Sequence, residues 1–157
     1  MKIFPLLLAL FAIASTAQQN HAKKTGINVL RKARPSTTWH TDTAIVADVT
    51  CDGEPDTIVI GSEAEEVWVG VVQGSKNNKK QQPILFNFRL GAAHEDRFCA
   101  RPVRIETAPI DCNDDAGPIR GCKIAKGCRQ FAVIDDECDS FHFYWNDSRK
   151  TLEWWRL

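Results

Sequence analysis

The sequence has no apolar run long enough to cross a membrane, no excess of either charge, no cysteine pair at metal-binding spacing and no signature of a common hydrolase. Each absence excludes something. The one sizeable apolar run, Ile3 to Ala14, is broken by Pro5 and falls short of the roughly 20 residues a spanning helix needs, so no membrane span is expected. Basic and acidic side chains number 20 each, a balance that argues against nucleic acid as the main partner. There is no C-x-x-C pair, which makes a zinc site of the Cys/His kind a weak alternative. Neither a G-x-S-x-G elbow nor an H-E-x-x-H helix occurs, so serine-hydrolase and zinc-protease chemistry has no local signature.

Histidine is scarce as well. His21 and His40 lie in or at the edge of a basic stretch, His94 in the polar segment "GAAHEDR", and His142 alternates with Phe141 and Phe143, so it points away from the face those rings occupy. Carboxylates are plentiful, but no spacing singles one out for the desolvation that general-acid work requires. An enzyme is not expected.

What is present begins with a processing signal. Met1-Lys2 is a short positive start, Ile3 to Ala14 is apolar, and Ser15-Thr16-Ala17 puts small residues before Gln18-Gln19. Residues 1–17 read as a cleaved secretory signal. Removal of Lys2 takes the 20 basic side chains to 19 against 20 acidic ones, a formal charge of −1. All six cysteines, Cys51, Cys99, Cys112, Cys122, Cys128 and Cys138, lie beyond that segment. An even count in an exported chain points to disulfides, with 15 pairings open. The expected location is periplasmic or extracellular.

Residues 18–42 form a basic polar arm with apolar Ile27, Val29 and Leu30 in its middle, either flexible or holding a short helix or strand. Residues 43–157 read as one domain. Eight short apolar runs follow one another: Ala44 to Val46, Thr57 to Ile60, Val67 to Val72, Ile84 to Leu90, Val103 to Ile105, Phe131 to Ile134, Phe141 to Trp145 and Leu152 to Trp155. Several alternate with period two, as half-buried strands require, and turn compositions such as "QGSKNNKKQQ" and "DCNDDAGP" separate them. No window sustains a helical apolar stripe for three turns. The expected fold is all-β and mostly antiparallel, either two blade-like sheets or a sandwich, stapled by disulfides. Thr57 to Val71 can also be laid on Phe131 to Trp145 at a constant offset of 74, each copy reading strand, acidic turn, strand.

One loop carries a metal-like pattern. In "ADVTCDGEPDTIVIG" the residues Asp48, Thr50, Asp52 and Asp56 put oxygens at alternating places, with Gly53 at the sharp turn and the Glu54 carbonyl available between. Calcium takes six to eight hard oxygens from loops of this kind. The apolar strand "TIVI" where an EF-hand would have its second helix excludes a helix-loop-helix. The pattern instead resembles the calcium loops of FG-GAP, or VCBS, repeats over Val46 to Val71. That resemblance implies a weak structural calcium site at Asp48, Thr50, Asp52, Glu54 and Asp56. Thr50 departs from the usual Asp or Asn, and Cys51 is unusual between ligands. A closed propeller is excluded, because it needs at least four blades and the chain has material for two. Asp-Gly between apolar runs also makes an ordinary turn. The stretches Asp111 to Gly117 and Asp135 to Asp139 read as loop and solvated hairpin tip.

Aromatic residues are the remaining candidates. "FHFYWNDSRKTLEWW" reads as a terminal hairpin turning at Asn146 to Lys150, and adjacent Trp154 and Trp155 must face opposite sides of their strand. An exposed tryptophan beside Tyr144 could meet a protein or glycan, which makes Tyr144, Trp154 and Trp155 candidate partner-binding residues. The C-terminal stretch is similar to the ends of small, cysteine-containing exported bacterial proteins. The expectation is an exported binding or interaction module, ahead of a secreted inhibitor or ligand-binding protein and of a hydrolase.

Overall fold

The computed structural model describes residues 6–74, 82–91 and 96–156, with residues 6–16 in backbone only. His94 and most of "QGSKNNKKQQ" lie outside the described residues. One helix, α1 (Leu6–Ala33), precedes twelve strands: β1 (Thr38–Trp39), β2 (Ile45–Ala47), β3 (Asp56–Glu63), β4 (Glu66–Val72), β5 (Ile84–Leu90), β6 (Arg97–Phe98), β7 (Arg104–Pro109), β8 (Asn113–Asp114), β9 (Gly117–Pro118), β10 (Arg129–Ile134), β11 (Phe141–Asn146) and β12 (Thr151–Trp155). No described helix is long and apolar enough to cross a membrane.

Two open sheets face each other. The first has six strands in the order β1-β3-β4-β5-β6 with β2 also on β3, and the second has four in the order β12-β11-β10-β7. Pairings are antiparallel except β5 with β6. Ile58, Ile60, Val67, Val69, Val71, Phe88 and Phe98 from the first sheet share one core with Phe131, Val133, Phe141, Phe143, Trp145 and Leu152 from the second. The architecture is thus a sandwich rather than two separate blades. Its centre is aromatic: Phe131 stacks on Phe143 with centroids 4.5 Å apart, and Phe88 meets Phe141 at 4.4 Å. Each such ring, fully buried, is worth about 2–3 kcal/mol. The alternation read in Ile84, Phe86, Phe88 and Leu90 holds, since all four contribute to this core.

Three disulfides close the sandwich: Cys51–Cys128, Cys99–Cys138 and Cys112–Cys122. Three bridges and no free cysteine accord with an oxidising, exported environment. The first two tie one sheet to the other, and the third closes the β8–β9 excursion.

The helix is the main departure from the sequence reading. α1 runs through Ala17–Gln18 without a break and packs on the outer face of the first sheet. Ile27 and Leu30 are buried there against Trp39, Ala44, Val59 and Val72. Its apolar stripe is short because its fit depends on glycines as much as on large side chains. A Cβ on Gly70 would sit 2.4 Å from Leu30 Cδ2, and one on Gly26 would sit 2.6 Å from Thr57 Cβ. Covered on both faces, β3 is buried from Asp56 to Gly61.

The two hairpins aligned at an offset of 74 occupy the centres of the two sheets but do not share a register. Thr57 pairs with Val72, so the offset places Phe131 opposite Asn146, whereas Phe131 pairs with Phe143.

Candidate functional site

The loop from Asp48 to Asp56 links β2 to β3, and Asp56 is its pivot. Fully buried, its carboxylate accepts the Val49 and Thr50 amides on Oδ2 and the Gly74 amide on Oδ1, each at 2.9 Å. Asp48 closes the outer half of the turn, accepting Asp52 N at 3.2 Å and Gly53 N at 3.0 Å. Asp52 accepts Glu54 N at 2.8 Å. Cys51 at φ 57° and Gly53 at φ 85° take the left-handed positions, which glycine adopts without steric cost. Burial pushes the Asp56 carboxyl up to about 6, against the downward pull of its three amides.

A calcium ion needs oxygens that converge on one point. Asp48, Asp52 and Asp56 do not bring one carboxylate oxygen each within 4.8 Å of the others. The one group of three that does so among the described residues is Cys99, Asp135 and Cys138, whose sulfurs are joined to each other and closed to a metal. With Asp56 turned to its amides, the set Asp48, Thr50, Asp52, Glu54 and Asp56 does not fit a closed calcium cage. One atom of the loop is left over: the Thr50 hydroxyl is buried without a hydrogen-bond partner.

The acidic tip at Asp135 to Asp139 is solvated only in part. Asp136, Glu137 and Asp139 are exposed, but Asp135 is buried. Its Oδ2 accepts the amides of Cys99 at 2.5 Å and Ala100 at 3.3 Å, and its Oδ1 those of Glu137 at 3.2 Å and Cys138 at 2.9 Å. Burial alone would raise its pKa, yet these four donors hold the carboxyl below its ordinary range. Sequence reading placed this residue in a solvated tip because the acids Asp136, Glu137 and Asp139 follow it. The available signal was its position three before Cys138, where an aspartate folds back on its own backbone.

The outer face of the second sheet gathers the aromatic candidates. Trp154 points toward the core, edge-on to Phe141 at 5.1 Å and to Phe88 at 5.5 Å, and is half-buried. Trp155 takes the opposite face and stacks on His142 at 4.3 Å, with the ring planes 13° apart. Burial holds the His142 imidazole below its usual pKa, so it is neutral around pH 7. Next along the face, the Tyr144 hydroxyl donates to Glu153 Oε2 at 2.7 Å, Asn146 Nδ2 donates to the same oxygen at 2.8 Å, and Arg149 donates to Glu153 Oε1 at 2.7 Å. Burial, then the bond and charge of Glu153, push the Tyr144 phenol up to about 12. The network borders a cavity of about 520 Å³ that also meets Arg120, Gly121 and Ser148. Arg120 makes no ion pair or side-chain hydrogen bond among the described residues. On the other side of β11 a smaller cavity of about 200 Å³ reaches His142, Gln130 and Glu106. Asn146 heads an N-x-S sequon, but it is buried and its amide is engaged, so it is closed to glycosylation in the folded state.

A third cavity, of about 400 Å³, holds a hydrogen-bonded His40 and Ser62, Nε2 to Oγ 2.9 Å. Asp42 lines the same cleft without bonding the ring. Among the described residues the pair lacks the third group that orients the base of a catalytic triad.

Comparison with protein-family models, with curated proteins and with solved structures finds no match to this chain.

Proposed function

We propose that this protein is an exported binding module whose ligand face is the outer surface of the β12-β11-β10-β7 sheet. The observation that carries the reading is an asymmetry between the two sheets. The first has its outer face closed by α1. The second has no helix over it among the described residues and bears instead a stacked Trp155–His142 pair between two cavities. A flat aromatic pair beside fixed donors and acceptors suits a sugar ring or a protein side chain. The rigidity of the face supports the same reading, because Glu153 holds Tyr144, Asn146 and Arg149 at once. The Asp48–Asp56 loop has a structural part here: its carboxylates shape the turn that presents Cys51 to Cys128. No catalytic group is assigned.

The test is a glycan array and a panel of purified cell-envelope proteins, probed with the oxidised protein and with Trp155→Ala. Ile124→Ala serves as the control, since Ile124 is an exposed apolar residue at 74 % that lines neither cavity of this face. Binding should fall at least tenfold in Trp155→Ala and persist in Ile124→Ala. Ligands bound equally well by Trp155→Ala would place the site elsewhere.

A further inference from the structure

The neutrality of the chain conceals a division of charge. Residues 18–34 carry Lys23, Lys24, Arg31, Lys32 and Arg34 with no acid, whereas from Asp42 onward 20 acidic side chains face 14 basic ones, a net of −6. Arg34 is used internally, bonded to Glu63 at 2.7 Å and lying 3.9 Å over the Trp68 ring. The other four make no ion pair or side-chain hydrogen bond among the described residues. Lys24, Arg31 and Lys32 are exposed. Ile27 and Leu30 bury the side of α1 that meets the sheet, and Lys24 and Arg31 lie along the edge of that side.

Asn20, Lys23, Lys24, Asn28 and Arg31 recur at helical spacing and so form one stripe. With Ile27 and Thr41 they border a cavity of about 350 Å³. Three cations and two amides around a shallow depression suit a phosphodiester.

We propose that this stripe docks the protein on the anionic headgroups of a phospholipid surface. The choice of partner rests on charge: beyond the stripe the chain carries a net −6, which an anionic surface repels, so a phospholipid surface would orient the protein helix-first. The stripe begins at Asn20, so it is complete with or without residues 1–17.

The experiment is co-sedimentation of the oxidised full chain with phosphatidylcholine vesicles, with and without phosphatidylglycerol, across a salt series. Binding should require phosphatidylglycerol and weaken as salt rises. Each basic side chain near such a surface is worth about fivefold, so Lys24→Ala/Arg31→Ala should bind roughly 30-fold more weakly with an unchanged melting temperature. The variant keeps the apolar segment, so simple insertion of that segment would show as equal binding to both vesicle types and would overturn the proposal. So would failure to sediment at low salt, indifference to the double substitution, or capture by heparin or DNA without capture by the vesicles.

Discussion

Two corners of the sandwich are built from the same parts and differ in their electrostatics. At one, buried Asp56 accepts three backbone amides beside the Cys51–Cys128 bridge. At the other, buried Asp135 accepts four beside Cys99–Cys138. Burial wins at Asp56 and raises its carboxyl to about 6; at Asp135 the donors win and the carboxyl is lowered. The deeper position, inside a strand covered on both faces, loses more hydration than three amides restore. A buried aspartate is therefore not one kind of device: each added donor moves the balance from a group that resists ionisation toward one that depends on it.

The largest expected effect compares the bridges. Cys51–Cys128 closes a loop of 77 residues, Cys99–Cys138 one of 39 and Cys112–Cys122 one of 10. Chain entropy predicts losses of about 4.5, 4 and 2.7 kcal/mol when each pair is replaced by alanine. Urea unfolding of the three double variants checks the order. If the 10-residue bridge proves the costliest, the view that the two inter-sheet corners hold the sandwich is wrong.

Next come the carboxylates. Asp135→Ala strands four amides, each a costly group to leave unpaired when buried, and should destabilise by about 3 kcal/mol at neutral pH. Asp135→Asn keeps one acceptor oxygen and should still cost about 2 kcal/mol. Asp56→Asn should cost less at pH 7, because it also removes a buried charge. A thermal melt of each asparagine variant measures the gap. Equal losses would erase the distinction between the corners.

The pH profile sharpens the same contrast. For Asp56 the folded value, about 6, lies above the ordinary 3.8. Its contribution is therefore complete below 3.8 and lost as pH rises through about 6, a change of about 3 kcal/mol. For Asp135 the folded value lies below 3.8, so its contribution is present above 3.8 and lost as pH falls. Denaturant midpoints measured from about pH 3 to 8, across both windows, should show Asp56→Asn flattening the upper limb and Asp135→Asn the lower. A wild-type profile unchanged by either substitution rules out the assignment.

These corners also mark where sequence reasoning ended. All eight apolar runs became strands, because alternation records which side chains face a core. The opposed directions of Trp154 and Trp155 followed from the same period of two. The helix was legible only as one alternative, because Ile27 and Leu30 alone do not make a stripe and its fit depends on Gly70 facing Leu30 and Gly26 facing Thr57 across the fold. Disulfide pairing had no local signal. Asp135 was hidden among acids that do face solvent, and the resemblance of the Asp48–Asp56 loop to a calcium site concerned sequence order, whereas the directions of its carboxylates are set by the amides they accept.

The smallest expected effect returns to that loop. The Thr50 hydroxyl is buried and unpartnered, a state that costs about 1–3 kcal/mol, and valine has the same shape without the oxygen. Thr50→Val should therefore stabilise the protein by about 1 kcal/mol, and millimolar calcium should leave the melting curves of both proteins where they are. A cation coordinated by Thr50 and its neighbours would give the reverse pattern. Calcium would then raise the wild-type melting temperature, by about 2.7 kcal/mol at 100 times its dissociation constant, and Thr50→Val would lose that response along with any gain. The two readings thus differ in the sign of one substitution and in whether calcium changes it. Melting curves of wild type and Thr50→Val, each with calcium and with chelator, decide whether this corner is held by its own amides, as the Asp135 corner is, or by an ion.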